Sequence, residues 1–107
     1  MRCWVMAETV SVVVCTYRKH GAVPCLLGLR QQTRVPDEVI IVSEIGDAAL
    51  GHVDLRATER MEHVRPIPYH SPPHVLNRGW HAANGNVVAF LADFAWPAPA
   101  WLERLVA

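Results

Sequence analysis

The feature that most constrains the fold of this chain is a short apolar run, residues 86–92, that ends at a single acid, Asp93. The run reads NVVAFLA, follows an Asn-Gly pair and precedes a loop that contains two prolines. Apolar runs of this length between turn residues are typical of strands buried on both faces of a parallel sheet that helices cover. Ligands of open α/β sheets bind outside the carboxyl ends of such strands, so we predict that Asp93 lies at a binding crevice.

The rest of the chain alternates between strand and helix patterns. Strands are predicted at residues 10–15, 38–43, 64–69 and 86–92, and helices at residues 22–32, 54–61, 71–83 and 99–106. Two prolines in 64–69 remove backbone donors, so this strand is expected at a sheet edge, while 46–51 is expected to be a loop. The alternation predicts an α/β fold, a mostly parallel sheet with flanking helices. In that fold the turns at 16–19, 43–46 and 92–96 meet at one edge of the sheet.

Length and composition limit the class of protein. The 107 residues suit a single domain, residues 1–107, and 51% of them are hydrophobic, which favours a globular chain. Ten basic residues balance ten acids, so no net field favours nucleic acid as a partner. Three cysteines without metal-ligand spacing and an N-terminus without a signal-peptide pattern favour a reduced, cytoplasmic setting. Because no run reaches about 18 apolar residues, no membrane span is predicted.

Three segments of the chain together resemble a known family. They are VSVVVCTYRK, a strand with a Thr-Tyr turn; LRQQTRVPDEVIIVSE, a helix end with a second strand; and LNRGWHAANGNVVAFLADFAWPAPAWLERL, a helix, a strand and the loop after it. In this order they resemble the N-terminal, nucleotide-sugar-binding half of the family 2 glycosyltransferases, over residues 10–105. The resemblance implies a partial GT-A fold, which is Rossmann-like. It also implies an enzyme that transfers a sugar, with inversion, from a nucleoside-diphosphate sugar to an acceptor hydroxyl.

Five residues take nucleotide-sugar-binding positions within this resemblance: Thr16, Tyr17, Glu44, Asn77 and Asp93. Tyr17 is expected to offer its face to the base, and the backbone around Thr16 to fix the edge of the base. Glu44 is expected to accept a hydrogen bond from the base or the ribose. Asn77 matches an Asn on the helix before the last strand, and Asp93 is expected to face the ribose or the sugar.

The resemblance also implies a divalent cation, Mg²⁺ or Mn²⁺, because members of the family carry an acid cluster, Asp-any-Asp, at the end of the last strand. Here the triplet is Ala92-Asp93-Phe94, so apolar residues occupy both outer positions. Asp93 is the single carboxylate left to contact a metal. Ser43 and Leu76 replace an acid and an Arg that the family usually has.

The alternative hypothesis is a non-catalytic or truncated remnant that keeps the fold and nucleotide binding. It arises because the outer acids of the family's cluster are lost and the acceptor half, which supplies the general base, is absent from these residues. The last strand is then an unpaired edge, which favours self-association as a homo-oligomer.

Two other patterns are interpreted as structural and not as functional sites. His70, His74 and His81 lack the residues that usually accompany a zinc pair, and Cys15 is interpreted as a small core residue.

Overall fold

The computed structural model describes residues 8–64 and 72–106, and side chains of the second long helix from Leu76 onward. Its elements are β1 (Val10–Thr16), α1 (Val23–Arg30), β2 (Glu38–Ser43), a 3₁₀ helix (Gly46–Leu50), β3 (Glu59–His63), α2 (Pro72–Ala82), β4 (Val87–Ala92) and α3 (Trp101–Leu105). The predicted α/β fold is confirmed. Helices α1 and α2 lie where their apolar spacing and proline positions predict them, each within two residues.

The sheet has the order β3-β2-β1-β4, and every adjacent pair is parallel. The predicted parallel sheet is therefore confirmed for the described strands. In the register Cys15 lies beside both Val42 and Ala92, so the carboxyl ends of β1, β2 and β4 meet at one edge. The chain runs from β1 to β2 on one side and later returns to the other side of β1. The gap between the ends of β1 and β4 is therefore a topological switch point, where open sheets bind ligands.

Helices cover β1 on both faces, in agreement with its nearly continuous apolar sequence, which is rich in β-branched residues. One core joins α1, α3 and one face of the sheet, and includes Val10, Val12, Val14, Cys25, Leu26, Leu29, Ile41 and Leu102. The opposite face packs on α2 through Val13, Cys15, Ile40 and Val42. A Cβ at Gly79 would clash with Val13, so α2 can approach the sheet this closely because residue 79 is glycine.

The segment between β2 and α2 differs from the sequence prediction. Residues 54–61 were expected to be helical, but they form a turn followed by β3, Glu59–His63. The reason is tertiary: β3 pairs with β2, and the carboxylate of Glu59 binds Arg30 of α1. Residues 46–50, expected as loop, form a 3₁₀ helix. Val64, the first residue of the predicted strand 64–69, is not in a strand, and the rest of that prediction lies outside the described residues.

Strand β4 also differs from the prediction that it is buried on both faces. Ala89, on the α1 face, is only 5% exposed, but Phe90, on the opposite face, is 40% exposed. The reason is the position of β4 at the edge of the described sheet, where only β1 pairs with it.

Among the described residues no helix is long and apolar enough to cross a membrane.

A carboxylate network fastens the amino end of β4 to the centre of the sheet. Glu38 accepts hydrogen bonds from the Ser11 hydroxyl at 2.6 Å, the Asn84 N–H at 2.5 Å and the Arg60 guanidinium at 2.6 Å. Burial by itself raises the pKa of Glu38, but the hydrogen bonds from Asn84, Ser11 and Arg60 outweigh it and lower the pKa to about 2. The carboxylate is thus ionised in the folded chain at every ordinary pH.

This network predicts a loss of stability in acid. A carboxyl group with a depressed folded pKa contributes its stability above its unfolded value, 4.5, and loses it as the pH falls toward 2. The contribution of Glu38 is up to roughly 3 kcal/mol by linkage. Urea unfolding at several pH values between 7 and 2 should show it as a decrease that the Glu38→Gln variant lacks. Equal pH dependence in both proteins would contradict the assignment.

Candidate functional site

The candidate site lies where the ends of β1 and β4 meet. The backbone N–H of Tyr17, one residue past β1, donates to Oδ2 of Asp93, one residue past β4, at 3.2 Å. Asp93 is therefore turned toward the first strand, and its carboxylate bridges the two turns. A charged acceptor makes such a bond stronger than one between two neutral groups.

The turn after β1 packs directly against the turn after β4. Gly21 accepts a hydrogen bond from the N–H of Phe94 at 2.8 Å. A Cβ at Gly21 would lie 2.6 Å from Oγ1 of Thr16 and 2.8 Å from Cβ of Asp93, which is closer than real Cβ atoms approach. The two turns can therefore meet only because residue 21 is glycine.

An apolar cavity of about 310 Å³ opens beside this contact, on the α2 face of the sheet. Its lining residues come from the ends of β1 and β4 and from α2: Cys15, Tyr17, Leu76, Phe90, Leu91 and Ala92. The exposed rings of Tyr17 and Phe90 make this an aromatic surface with a carboxylate nearby. A larger hollow of about 540 Å³ is lined by Asp47 and by residues 50–55, and none of the predicted site residues lines it.

The charges around the cavity are negative on one side. Burial, and then electrostatic interactions with Cys15, Glu44 and Asp93, raise the pKa of Tyr17. Burial and then the Asp93 carboxylate raise the pKa of Cys15 to about 11. Cys15 is therefore a neutral thiol near pH 7, as expected of a core residue and not of a nucleophile.

The same turns also hold a cation. The guanidinium carbon of Arg18 is 5.9 Å from the centroid of the Phe94 ring, within the range of a cation–π contact. The site thus has carboxylates near the Tyr17 ring and a guanidinium over the Phe94 ring in the adjoining turn. This arrangement suits a ligand with a planar, hydrogen-bonding part and a negatively charged part.

The structure brings four of the five predicted site residues to this edge of the sheet. Thr16 is fully buried, with its hydroxyl 3.4 Å from the carbonyl oxygen of Arg18, so only its backbone is at the turn. Tyr17 and Asp93 are hydrogen-bonded to each other, and Glu44 is near enough to affect the pKa of Tyr17.

Asn77, the fifth residue, is exposed on α2. Gly79 faces the sheet, and two residues along a helix correspond to a rotation of about 200°, so Asn77 points away from the sheet. Its neighbour Leu76 lines the cavity instead. Arg78 also turns elsewhere, since it donates to Glu62 of β3 at 3.1 Å.

Ser43, which stands where the family usually has an acid, has a structural contact. Its hydroxyl accepts the N–H of Ile45 at 3.1 Å and donates to the carbonyl of Gly46 at 3.2 Å. These bonds close the turn after β2. The hydroxyl is fully buried and does not face the cavity opening.

The side chains at the end of β4 do not fit a divalent cation held by the protein alone. Mg²⁺ and Mn²⁺ favour several oxygen ligands. Asp93 lies between apolar Ala92 and Phe94, and one of its oxygens already accepts the Tyr17 N–H. Within residues 8–64 and 72–106, no group of three or more His, Cys, Asp or Glu side chains could hold a metal ion. Of the predicted histidine face, His70 and the side chain of His74 lie outside the described residues, and His81 is exposed.

Sequence reasoning missed several residues of the site. Arg18 and Phe90 gave no signal, because a lone cation in a turn and an apolar residue within a strand are both common. Gly21 carried a usable signal, since a glycine between a strand and a helix often marks a close backbone approach.

Comparisons of the chain with protein-family models, with curated proteins and with solved structures found no match in any of the three.

Proposed function

We propose that this edge of the sheet binds the nucleoside diphosphate of a nucleotide sugar, and that the chain is the donor-binding part of a glycosyltransferase-like protein that transfers the sugar with inversion to an acceptor hydroxyl. The observation that carries the proposal is the bond from the Tyr17 N–H to the Asp93 carboxylate. This bond sets an acceptor of hydrogen bonds beside an exposed aromatic ring at the switch point of a parallel sheet.

Each part of such a ligand has a counterpart in the site. The base would lie in the apolar cavity against the ring of Tyr17, since aromatic faces favour stacking. Asp93 and Glu44 would accept hydrogen bonds from ribose hydroxyls or base N–H groups. The phosphates would lie toward Arg18, away from the two acids, because like charges repel. The side chains at the end of β4 supply one carboxylate, so this binding mode does not depend on a protein-held metal.

Calorimetry with uridine, guanosine and thymidine diphosphates tests the proposal. We expect one of them to bind, and we expect Tyr17→Ala and Asp93→Asn each to weaken it about tenfold or more, because a charged hydrogen bond or a buried stacking contact contributes roughly 1.5–3 kcal/mol. Adding Mn²⁺ should change the affinity little. The matched controls are Trp80→Ala and Asp47→Asn, which remove an exposed ring and an exposed acid outside the cavity.

Absence of binding by all three nucleotides at millimolar concentration would contradict the proposal. Binding with equal loss in the site variants and in the controls would place the nucleotide elsewhere. Binding that appears only with Mn²⁺ would contradict the metal-independent mode.

A second candidate is a binding module that keeps the nucleotide site without catalysing transfer. It is favoured by the apolar residues Ala92 and Phe94 on either side of Asp93. The two candidates agree on nucleotide binding and differ on turnover. Sugar transfer to any acceptor hydroxyl by the purified chain would exclude the non-catalytic candidate.

The thiols of Cys15 and Cys25 are buried and form no disulfide. They support a reducing, cytoplasmic setting for either candidate function.

Self-association as a homo-oligomer is part of the proposal. The outer edge of β4 has no partner among the described strands, its residues 87–92 carry no charge, and Phe90 is exposed beside it. Uncharged free edges favour pairing with another chain. We expect sedimentation velocity at tens of micromolar to show a dimer that Phe90→Lys shifts toward monomer. Trp80→Lys, the control, changes another exposed aromatic residue, on α2, and a monomeric wild type would contradict the expectation.

A further inference from the structure

A buried amide on the C-terminal side of α1 holds the loop that follows β4, residues 93–100. Gln32 is 5% exposed, and its Nε2 donates to the carbonyl of Ala98 at 2.7 Å. The same nitrogen lies 3.2 Å from the carbonyl oxygen of Gly28 and 3.4 Å from that of Pro97. Its Oε1 accepts the N–H of Leu102 at 2.9 Å. One side chain thus fastens this loop and the start of α3 to α1.

Three further residues of the α1 region contact the same loop or the residue before it. A Cβ at Gly28 would lie 2.6 Å from Cδ of Pro97, so helix and loop are in direct contact there. The Cys25 thiol donates to the carbonyl of Ala92 at 3.2 Å, and Gly21 accepts the N–H of Phe94. The spacing of residues 21, 25, 28 and 32 is four, three and four, which places all of them on one side of α1 and its flanking turns.

The loop needs this support because its first turn has an uncommon conformation. Phe94 has φ of 61°, in the left-handed region that non-glycine residues rarely adopt. Neighbouring contacts must stabilise such a residue, since its own preference is for other conformations. Strand β4 has β1 as its one neighbour among the described strands. The contacts that support the loop therefore come from α1 and from the turn that precedes α1.

We infer that Gln32 and Gly28 are positioning residues for Asp93. They hold the loop at its Pro97–Ala98 end while Gly21 and Cys25 hold its beginning, so the left-handed turn at Phe94 is kept and the Asp93 carboxylate stays on the Tyr17 N–H. The importance of this for ligand binding rests on the proposed function, in which Asp93 contacts the nucleotide. The effect on the geometry of Asp93 does not depend on it.

The test measures the amide chemical shifts of Tyr17 and Phe94 by NMR in the unliganded chain. Asp93→Ala removes the acceptor and defines the shift of a Tyr17 amide that has lost its bond. Gln32→Met keeps the length of the side chain and removes its hydrogen bonds. We expect Gln32→Met to move the Tyr17 resonance toward its position in Asp93→Ala. In the double variant that combines Gln32→Met with Asp93→Ala, the Tyr17 resonance should then lie close to its position in Gln32→Met.

Gly28→Ala is a second variant that acts differently. It removes no hydrogen bond and favours the helix, but its methyl group would push Pro97 and the loop outward. We expect it to shift the Tyr17 and Phe94 amides as Gln32→Met does. If Gln32→Met fails to fold, Gly28→Ala provides the measurement by itself.

The matched control is Arg60→Met, on β3. Arg60 donates to Glu38 of β2 and to the carbonyl of Ala82 at the end of α2, so its replacement also removes side-chain hydrogen bonds, but none of them reaches the loop after β4. The Tyr17 resonance should stay at its wild-type position in this variant. Equal movement of Tyr17 in Arg60→Met and in the α1 variants would overturn the inference, as would a wild-type position in Gln32→Met or Gly28→Ala.

Nucleotide calorimetry on the same variants keeps the two proposals distinguishable. We expect the affinity of the best-bound nucleoside diphosphate to fall about tenfold in Gln32→Met and to be unchanged in Arg60→Met. A shifted Tyr17 amide with unchanged affinity supports the positioning of Asp93 and contradicts its proposed contact with the nucleotide. Unshifted amides overturn the positioning inference whatever the affinities are.

Discussion

Replacing Glu59 with alanine should lower the free energy of unfolding by about 3–5 kcal/mol, the usual cost of removing one partner of a buried ion pair. The Glu59 side chain is 4% exposed, and its two oxygens accept bonds from Nε and Nη2 of Arg30 at 2.9 and 2.5 Å. Although burial by itself raises the pKa of Glu59, these bonds lower it on balance. Without the carboxylate, the guanidinium stays largely buried, and the carbonyl of Asp54 still accepts a hydrogen bond from its Nη2.

Glu62 on the same strand provides a matched control. Its side chain is 27% exposed and pairs with Arg78 at 3.1 Å and with Arg60 at 4.0 Å. Exposed ion pairs contribute at most about 1 kcal/mol, so Glu62→Ala should have a small effect. Urea unfolding followed by circular dichroism measures both. Equal losses in the two variants would show that the Arg30–Glu59 pair is not an important link between α1 and β3.

Replacing Gly21 with alanine should abolish nucleotide binding in the proposed site and destabilise the chain. Its methyl group would lie 2.6 Å from Oγ1 of Thr16, 2.8 Å from Cβ of Asp93 and 2.9 Å from the carbonyl oxygen of Arg18. Overpacking of this kind costs roughly 1–3 kcal/mol. Because one of these neighbours is Asp93, the two turns must separate, and the bond to the Tyr17 N–H is lost with them.

Gly85→Ala is the matched control for this variant. A methyl group there would lie 2.6 Å from Oγ of Ser11 and 2.8 Å from the nitrogen of Ser11, a clash of similar size at the opposite edge of the sheet. We expect similar losses in thermal unfolding and loss of nucleotide binding only in Gly21→Ala. Binding that survives in Gly21→Ala, or fails equally in both variants, would contradict the role given to this turn.

The elements that sequence reasoning placed correctly are those whose patterns need no partner to be recognised. The run VSVVVC of β1 and the run EVIIVS of β2 are continuous and rich in β-branched residues, and such runs favour buried strands wherever they occur. Pro72 marks the start of α2, since proline is favoured in the first turn of a helix.

Strand β3 was not predicted because its sequence, ERMEH, shows no alternation of apolar and polar residues. Its place in the sheet depends on pairing with β2 and on the Arg30–Glu59 pair, both of which join residues far apart in sequence. The site shows the same limit. Asp93 was predicted from the end of the last apolar run and Tyr17 from the family resemblance, but the bond between them spans 76 residues. Gln32 was predicted as the last residue of a helix, with no tertiary role, whereas it is buried and its amide holds the loop after β4.

The sequence by itself determined the α/β class, the central strands and the presence of an acid at the carboxyl end of the last apolar run, because strand and turn preferences are local properties. The tertiary structure decided which side of β1 receives β4, how the Asp93 carboxylate is held, and that Leu76 and not Asn77 faces the cavity. These outcomes depend on three close contacts at glycines: the two turns meet at Gly21, α1 meets the loop after β4 at Gly28, and α2 meets the sheet at Gly79. A hydrogen bond or a steric contact between distant residues exists only once the chain has packed, so no local pattern encodes it.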